Sequence, residues 1–254
     1  MRINTLPTCG AAAMLMAPLV LILAACNEGN AARGATGAAA SPGTASGSYV
    51  LVTQTRPEAP EKFFPHERNL YALCAALASK QNIAVKPFPT LPPGFVSDRK
   101  TYASDGKRIV YREVGYTIDA RKAEAKDGCD MRLISQSRVA LISDGQERTA
   151  DQDEDGKVAT GEAQPAVKEP VRASLLDSYT VAKSANGVKL KCNADGSCIV
   201  DPALAVVARG VRPVQVAWRN DDVRTYGTAL ILEPVSLTVG KPVDGALFAL
   251  EPKP

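Results

Sequence analysis

KRIVYREVGYTIDA, residues 107–120, and MRLISQSRVALI, residues 131–142, decide the fold. In the first stretch Val110, Val114, Tyr116 and Ile118 share one parity, the period of a half-buried strand. Arg112 on that parity, with Glu113, Thr117 and Asp119 beside it, keeps the strand partly wet. The polar turn from Arg121 to Gly128 then sets residues 131–142 against it as an antiparallel partner, so the two predict a long hairpin.

Working outward, Tyr49 to Thr53 alternates and suits a first strand, and the proline-bearing stretch from Arg56 to Pro65 turns the chain. A helix is predicted near residues 65–81: Pro65 suits its first position, and Leu70, Leu73, Cys74 and Leu77 recur at helical spacing before Asn82. That spacing expects the leucines and Cys74 on one buried face. Toward the C-terminus short β-rich runs recur at Tyr179–Lys183, Val188–Cys192, Cys198–Val200, Val214–Trp218, Thr228–Leu232 and Ser236–Val239, separated by turn residues. The predicted class is α+β, mainly β, with antiparallel sheets in a sandwich or open barrel and the one helix. The expected divisions are a leader at 1–25, a tether at 26–48, a helix-on-sheet lobe at 49–143, an acidic loop at 144–170 and an all-β lobe at 171–254.

Near the amino terminus, Arg2 precedes an apolar run from Gly10 to Leu23, too short for a comfortable membrane span, which closes on Leu23-Ala24-Ala25-Cys26. This leader resembles a bacterial lipoprotein signal. The resemblance implies cleavage before Cys26 by signal peptidase II, acylation of Cys26 and a lipid-anchored protein. Asn27 rather than aspartate after the cysteine points, by the same resemblance, to the outer membrane, with the domain on its periplasmic face. Residues 27–48 are almost wholly Ala, Gly, Ser, Thr and Asn, a composition that cannot bury enough apolar surface to offset its ordering entropy. They read as a tether with a root-mean-square reach of about 25 Å.

The net charge is only +3, with Lys and Arg scattered among Asp and Glu, which excludes the electrostatic footprint of nucleic-acid binding. Once Cys9 leaves with the leader and Cys26 is acylated, four cysteines remain, and an oxidising compartment pairs them. Asp195-Gly196, read as a type I′ turn, favours Cys192 with Cys198 and leaves Cys74 with Cys129. A redox role for Cys192 and Cys198 lacks both the Cys-x-x-Cys spacing and a thiolate-stabilising neighbour.

One motif carries chemistry. Asp151, Asp153, Asp155, Gly156 and Glu162 fill every position of the calcium-loop pattern D-x-[DN]-x-[DN]-G-x₅-E, with Lys157 offering its carbonyl. Its flanks depart from a helix-loop-helix, since residues 133–142 read as extended and Pro165 and Pro170 stop a following helix. The stretch is therefore either a weak structural calcium loop or a solvated acidic connector. Other signals are weak: His66 is the sole histidine, Ser97 with Lys100 and Ser104 with Lys107 match Ser-x-x-Lys outside any helix, Asp221-Asp222 reads as a turn, and Trp218 sits on a core parity. The sequence expects a lipid-anchored, non-enzymatic protein that binds an envelope protein or cell-wall partner, with calcium a possible cofactor. An envelope hydrolase acting on peptidoglycan or polysaccharide, and a solute- or metal-binding lipoprotein, are the alternatives.

Overall fold

A computed structural model of the chain describes residues 47–153, 155–166, 173–201 and 213–252. It is mainly β, one open antiparallel sheet of twelve strands with few helices. Cys26 and most of the tether lie outside the described residues.

The strands are β1 (Tyr49–Pro57), β2 (Asp98–Ser104), β3 (Ile109–Lys122), β4 (Asp130–Ser143), β5 (Gln146–Gln152), β6 (Val158–Thr160), β7 (Gln164–Pro165), β8 (Val181–Ala185), β9 (Val188–Cys192), β10 (Cys198–Val200), β11 (Gln215–Asn220) and β12 (Leu230–Val239). Across the sheet they run β6-β5-β4-β3-β2-β1-β12-β11-β10-β9-β8, with β7 also on β5. β1 is thus central, paired with β2 on one side and β12 on the other, so the strands expected in two lobes share one sheet. The predicted long hairpin is β3 with β4, in continuous register from Ile109 opposite Ile142 to Asp119 opposite Arg132. The runs at 228–232 and 236–239 belong to one strand, β12, whose pairing with β1 shifts register next to Pro234, a residue without a ladder donor.

Within residues 144–170, expected to be an acidic loop, the described part holds β5, β6 and β7. Asp144 and Gly145 both take positive φ (51° and 74°), the two-residue turn geometry that folds β5 directly back on β4. Asn186 and Gly187 do the same between β8 and β9, at 49° and 76°. The hairpin between β9 and β10 differs from its type I′ expectation: only Gly196 is left-handed (φ 77°), its N–H donates to the Asn193 carbonyl, and the Asn193 side chain accepts from the Ser197 N–H.

Each face of the sheet is closed differently. On one, Tyr49 and Leu51 of β1 pack with Val188, Leu190, Val200 and Val216 from the β9–β11 side, so this half curls around an apolar core. On the other, Ala103, Val110 and Val139 pack beneath Phe248 of the short C-terminal 3₁₀ turn Gly245–Phe248. Arg112 clamps that turn, its guanidinium donating to the carbonyls of Leu247 (2.7 Å), Glu251 (3.0 Å) and Ala249.

The predicted helix is α1 (Pro65–Lys80), and its buried face differs from expectation. Cys74 and Ala78 are buried, with Tyr71 packed beside them, whereas Leu70, Leu73 and Leu77 are 39%, 67% and 54% exposed. The helix is oriented by its cross-link, since Cys74 bonds to Cys129 immediately before β4, and this overrides the leucine stripe. Gly128 fits that junction because its φ is 68° and a Cβ there would stand 2.7 Å from the Ala84 carbonyl oxygen. The second disulfide joins Cys192 and Cys198, directly opposite each other on β9 and β10.

Candidate ligand-binding cleft

Successive strands place Lys100 opposite Glu113, Glu113 opposite Arg138 and Arg138 opposite Asp151. Charge therefore alternates along a single row across β2, β3, β4 and β5, the arrangement in which cross-strand neighbours attract. The Lys100 ammonium stands 3.4 Å from both Asp98 and Glu113, and Arg138 stands 3.4 Å from Asp151. Two residues along β2 and β3, on the same face, Tyr102 lies opposite Tyr111 with ring centroids 5.2 Å apart, and the Tyr111 hydroxyl donates to Glu113. Burial, reinforced by the charges of Glu113 and Asp98, holds the Tyr102 hydroxyl well above the usual phenol range; burial followed by its hydrogen bond to Glu113 does the same for Tyr111. Both phenols thus remain neutral hydrogen-bonding groups at any physiological pH.

Beside this row opens a cleft of about 480 Å³ lined by Lys100, Tyr102, Tyr179, Gln215, Trp218 and Leu232. Val214 and Val216 fall on the parity of Trp218 and are buried in the core, but Trp218 itself, opposite Leu232 near the end of β11, is only half-buried. The sheet here leaves three aromatic side chains, an ammonium and a carboxamide around a space large enough for a small ligand. A second open cleft of about 480 Å³ lies on the far side of Glu113, with Arg138, Asp151, Asp153 and Lys157 on its walls. The Lys100–Glu113 ion pair stands between the two.

The residues of the acidic motif are spread along a β-hairpin. Asp151 is the penultimate residue of β5 and pairs with Arg138; Asp153 accepts the N–H groups of Asp155 (3.0 Å) and Lys157 (2.9 Å); Asp155 takes Arg121 through both carboxylate oxygens, at 2.9 and 2.8 Å; Glu162 is exposed beyond β6. Arg121 holds the carboxyl of Asp155, and that of the neighbouring Asp119, in the charged form: its hydrogen bonds lower both pKa values, that of Asp119 to about 2. Among the described residues no three His, Cys, Asp or Glu side chains are grouped closely enough to hold a metal ion.

The remaining sequence signals are dispersed. His66 is exposed in the first turn of α1. Ser97 and Lys100 lie three residues apart in and beside a strand, so their side chains point to opposite faces, and the Ser97 hydroxyl donates to the Thr55 carbonyl (3.1 Å). Ser104 is the last residue of β2 and Lys107 lies in the turn between β2 and β3. Asp221 pairs with Arg219 at 2.7 Å, and Asp222 caps the four-residue helix α2 (Val223–Tyr226) by accepting the Thr225 N–H. Sequence reasoning missed Lys100, Tyr102 and Glu113 as members of one site, because only strand register brings residues 100, 113 and 218 to one place. Asp105-Gly106 in the turn between β2 and β3, with Gly106 at φ 88°, is the sequence signal for the part of that register that sets Lys100 opposite Glu113. No protein-family model, curated protein or solved structure matches this chain.

Proposed function

We propose that this protein is a lipid-anchored envelope protein that binds a cell-wall glycan without transforming it. The observation that carries the reading is the cleft of Tyr102, Tyr179 and Trp218 edged by Lys100 and Gln215. A sugar ring offers an apolar C–H face and a polar rim, which suits flat aromatic side chains with hydrogen-bonding groups at their margin. Acylated Cys26 and the tether 27–48 would hold such a domain within reach of both the membrane and the wall.

A hydrolytic reading has one observation in its favour, the two carboxylates of Asp98 and Glu113 beside the cleft. Both already have partners: Asp98 accepts from Thr55 (3.1 Å), Glu113 accepts from Tyr111, and Lys100 lies between them. That arrangement serves the sheet rather than a water or a leaving group. Co-sedimentation of the protein with purified peptidoglycan sacculi tests both readings. Binding that falls at least tenfold with Trp218→Ala, and no release of soluble fragments, is the expected result. No binding by the parent protein would overturn the proposal, and fragment release abolished by Glu113→Gln would replace it with the hydrolase.

A further inference from the structure

On α1 the leucines that spacing assigns to a core are turned outward and fixed there. Cys74 is disulfide-bonded to Cys129, the Tyr71 hydroxyl donates to the Lys86 carbonyl at 2.7 Å, and the Tyr71 ring meets Phe88 edge-on at 5.5 Å. The helix cannot roll to hide its other side. Leu70, Leu73 and Leu77, spaced i, i+3, i+7, therefore form one exposed row, and from Asn69 to Ser79 the helix carries no charged residue. Exposed apolar rows of this kind mark contact sites.

We infer that this row rests on the surface of the lipid bilayer, as an interfacial helix whose leucines enter the headgroup–acyl boundary. The inference builds on the proposed acylation of Cys26. The row is small, on the order of a few hundred Å², well below the ~800 Å² per partner that a stable pairing with a second copy needs. A bilayer demands no complementary partner surface, and a contact too weak for a free protein suffices for one already tethered, because tethering fixes a high effective concentration. The segment 27–48 can span about 75 Å when extended, so the anchor places no geometric bar on the contact. Lys80 at the end of the row can reach from the apolar zone to headgroup phosphates.

The test uses the full-length, acylated protein carrying Leu73→Trp with Trp218→Phe, in phosphatidylethanolamine and phosphatidylglycerol vesicles with and without brominated acyl chains. The expected result is a blue-shifted emission that brominated chains quench at least twofold. Emission typical of water and indifferent to bromine overturns the inference. A blue shift without quenching that grows with protein-to-lipid ratio overturns it in favour of a second copy. The mass of the Cys26 peptide, read on the same preparation, separates the two claims: an acylated but unquenched protein sinks the helix contact alone, whereas a quenched protein without acyl mass sinks the anchor alone, and failure of both readouts sinks both. Leu77→Trp serves as reporter if Leu73→Trp lowers the melting temperature.

Discussion

On the β12 side of β1, side chains that face inward are apolar: Tyr49 and Leu51 meet Val188, Leu190 and Val216, and the sheet curls until water is excluded. On the β2 side the same face of the same sheet carries Lys100, Glu113, Arg138 and Asp151, and stays open. The first half draws its stability from burial, which is non-directional and cumulative. The second is held by cross-strand charge, by Arg112 clamping the C-terminal turn over its other face, and by the disulfide that fastens α1 to β4. The proposed cleft opens where the two halves meet, with Lys100 and Tyr102 from the polar half and Gln215, Trp218 and Leu232 from the apolar one; the polar half, which buries little on this face, finds its rigidity in long strands, a clamp and a cross-link.

The largest expected effect is loss of the cross-link. Replacing Cys74 and Cys129 by alanine reopens a loop of separation 55, and the chain-entropy model assigns that closure about 4 kcal/mol, against about 2 kcal/mol for the separation of 6 between Cys192 and Cys198. Chemical denaturation should show the former variant losing roughly twice as much stability as the latter. Equal losses would mean that the polar half does not depend on its staple more than the apolar half does on its own.

A pair of leucines sharpens the contrast next. Leu51 is fully buried in the curled half, and Leu51→Ala is expected to lower stability by about 3 kcal/mol through lost transfer and the residual cavity. Leu73, 67% exposed, should tolerate Leu73→Ala within about 0.5 kcal/mol. A large loss at Leu73 in the soluble domain would show that α1 packs by its leucine stripe after all. Sequence spacing favoured that packing, and it misled because helical periodicity reports an apolar face without saying what covers it. The same spacing places Cys74 on the buried face, and there it agrees with the structure, because the bond to Cys129 rather than the leucines decides which side of the helix is covered. Strands β1, β3, β4, β9 and β10 were legible from alternation and their turns. β2 and β5 were not: Asp98–Ser104 and Gln146–Gln152 are polar stretches whose alternation is between charge signs and faces rather than between apolar and polar. The cleft was illegible for the same reason, being assembled by register from β2, β11 and β12.

The two halves should also part company with pH. Asp130, held by Arg132 and then Lys86, and Asp119, held by Arg121, both have carboxyl pKa values lowered to about 2. Their contribution is fully present above the ordinary carboxyl pKa of about 4 and is lost as pH falls toward 2. In the curled half, burial raises the Tyr49 hydroxyl to about 12, so its contribution is complete below about 10 and disappears as pH climbs through 12. Melting temperatures across pH should therefore fall at both ends, with Asp130→Asn flattening the acid limb and Tyr49→Phe the alkaline one. If Tyr49→Phe leaves the alkaline limb unchanged, Tyr102 or Tyr111 is the group that sets it.

The smallest expected effect concerns the hairpin at the open edge, whose sequence fits a calcium loop. A cation entering there has to displace Arg138 from Asp151 and Arg121 from Asp155, and to break the turn in which Asp153 accepts two backbone N–H groups. Those arginines already supply the positive charge that four crowded carboxylates would otherwise seek from a metal. With a dissociation constant of 1 mM or weaker, mass action limits stabilisation at 1 mM calcium to about 0.4 kcal/mol or less. Calorimetry and melting should accordingly show little response, and Arg121→Ala, which frees Asp155, should increase it. A strong response in the parent protein that Asp155→Asn removes would show instead that the edge hairpin refolds around the ion, making the polar half of the sheet conditional on calcium in a way the apolar half is not.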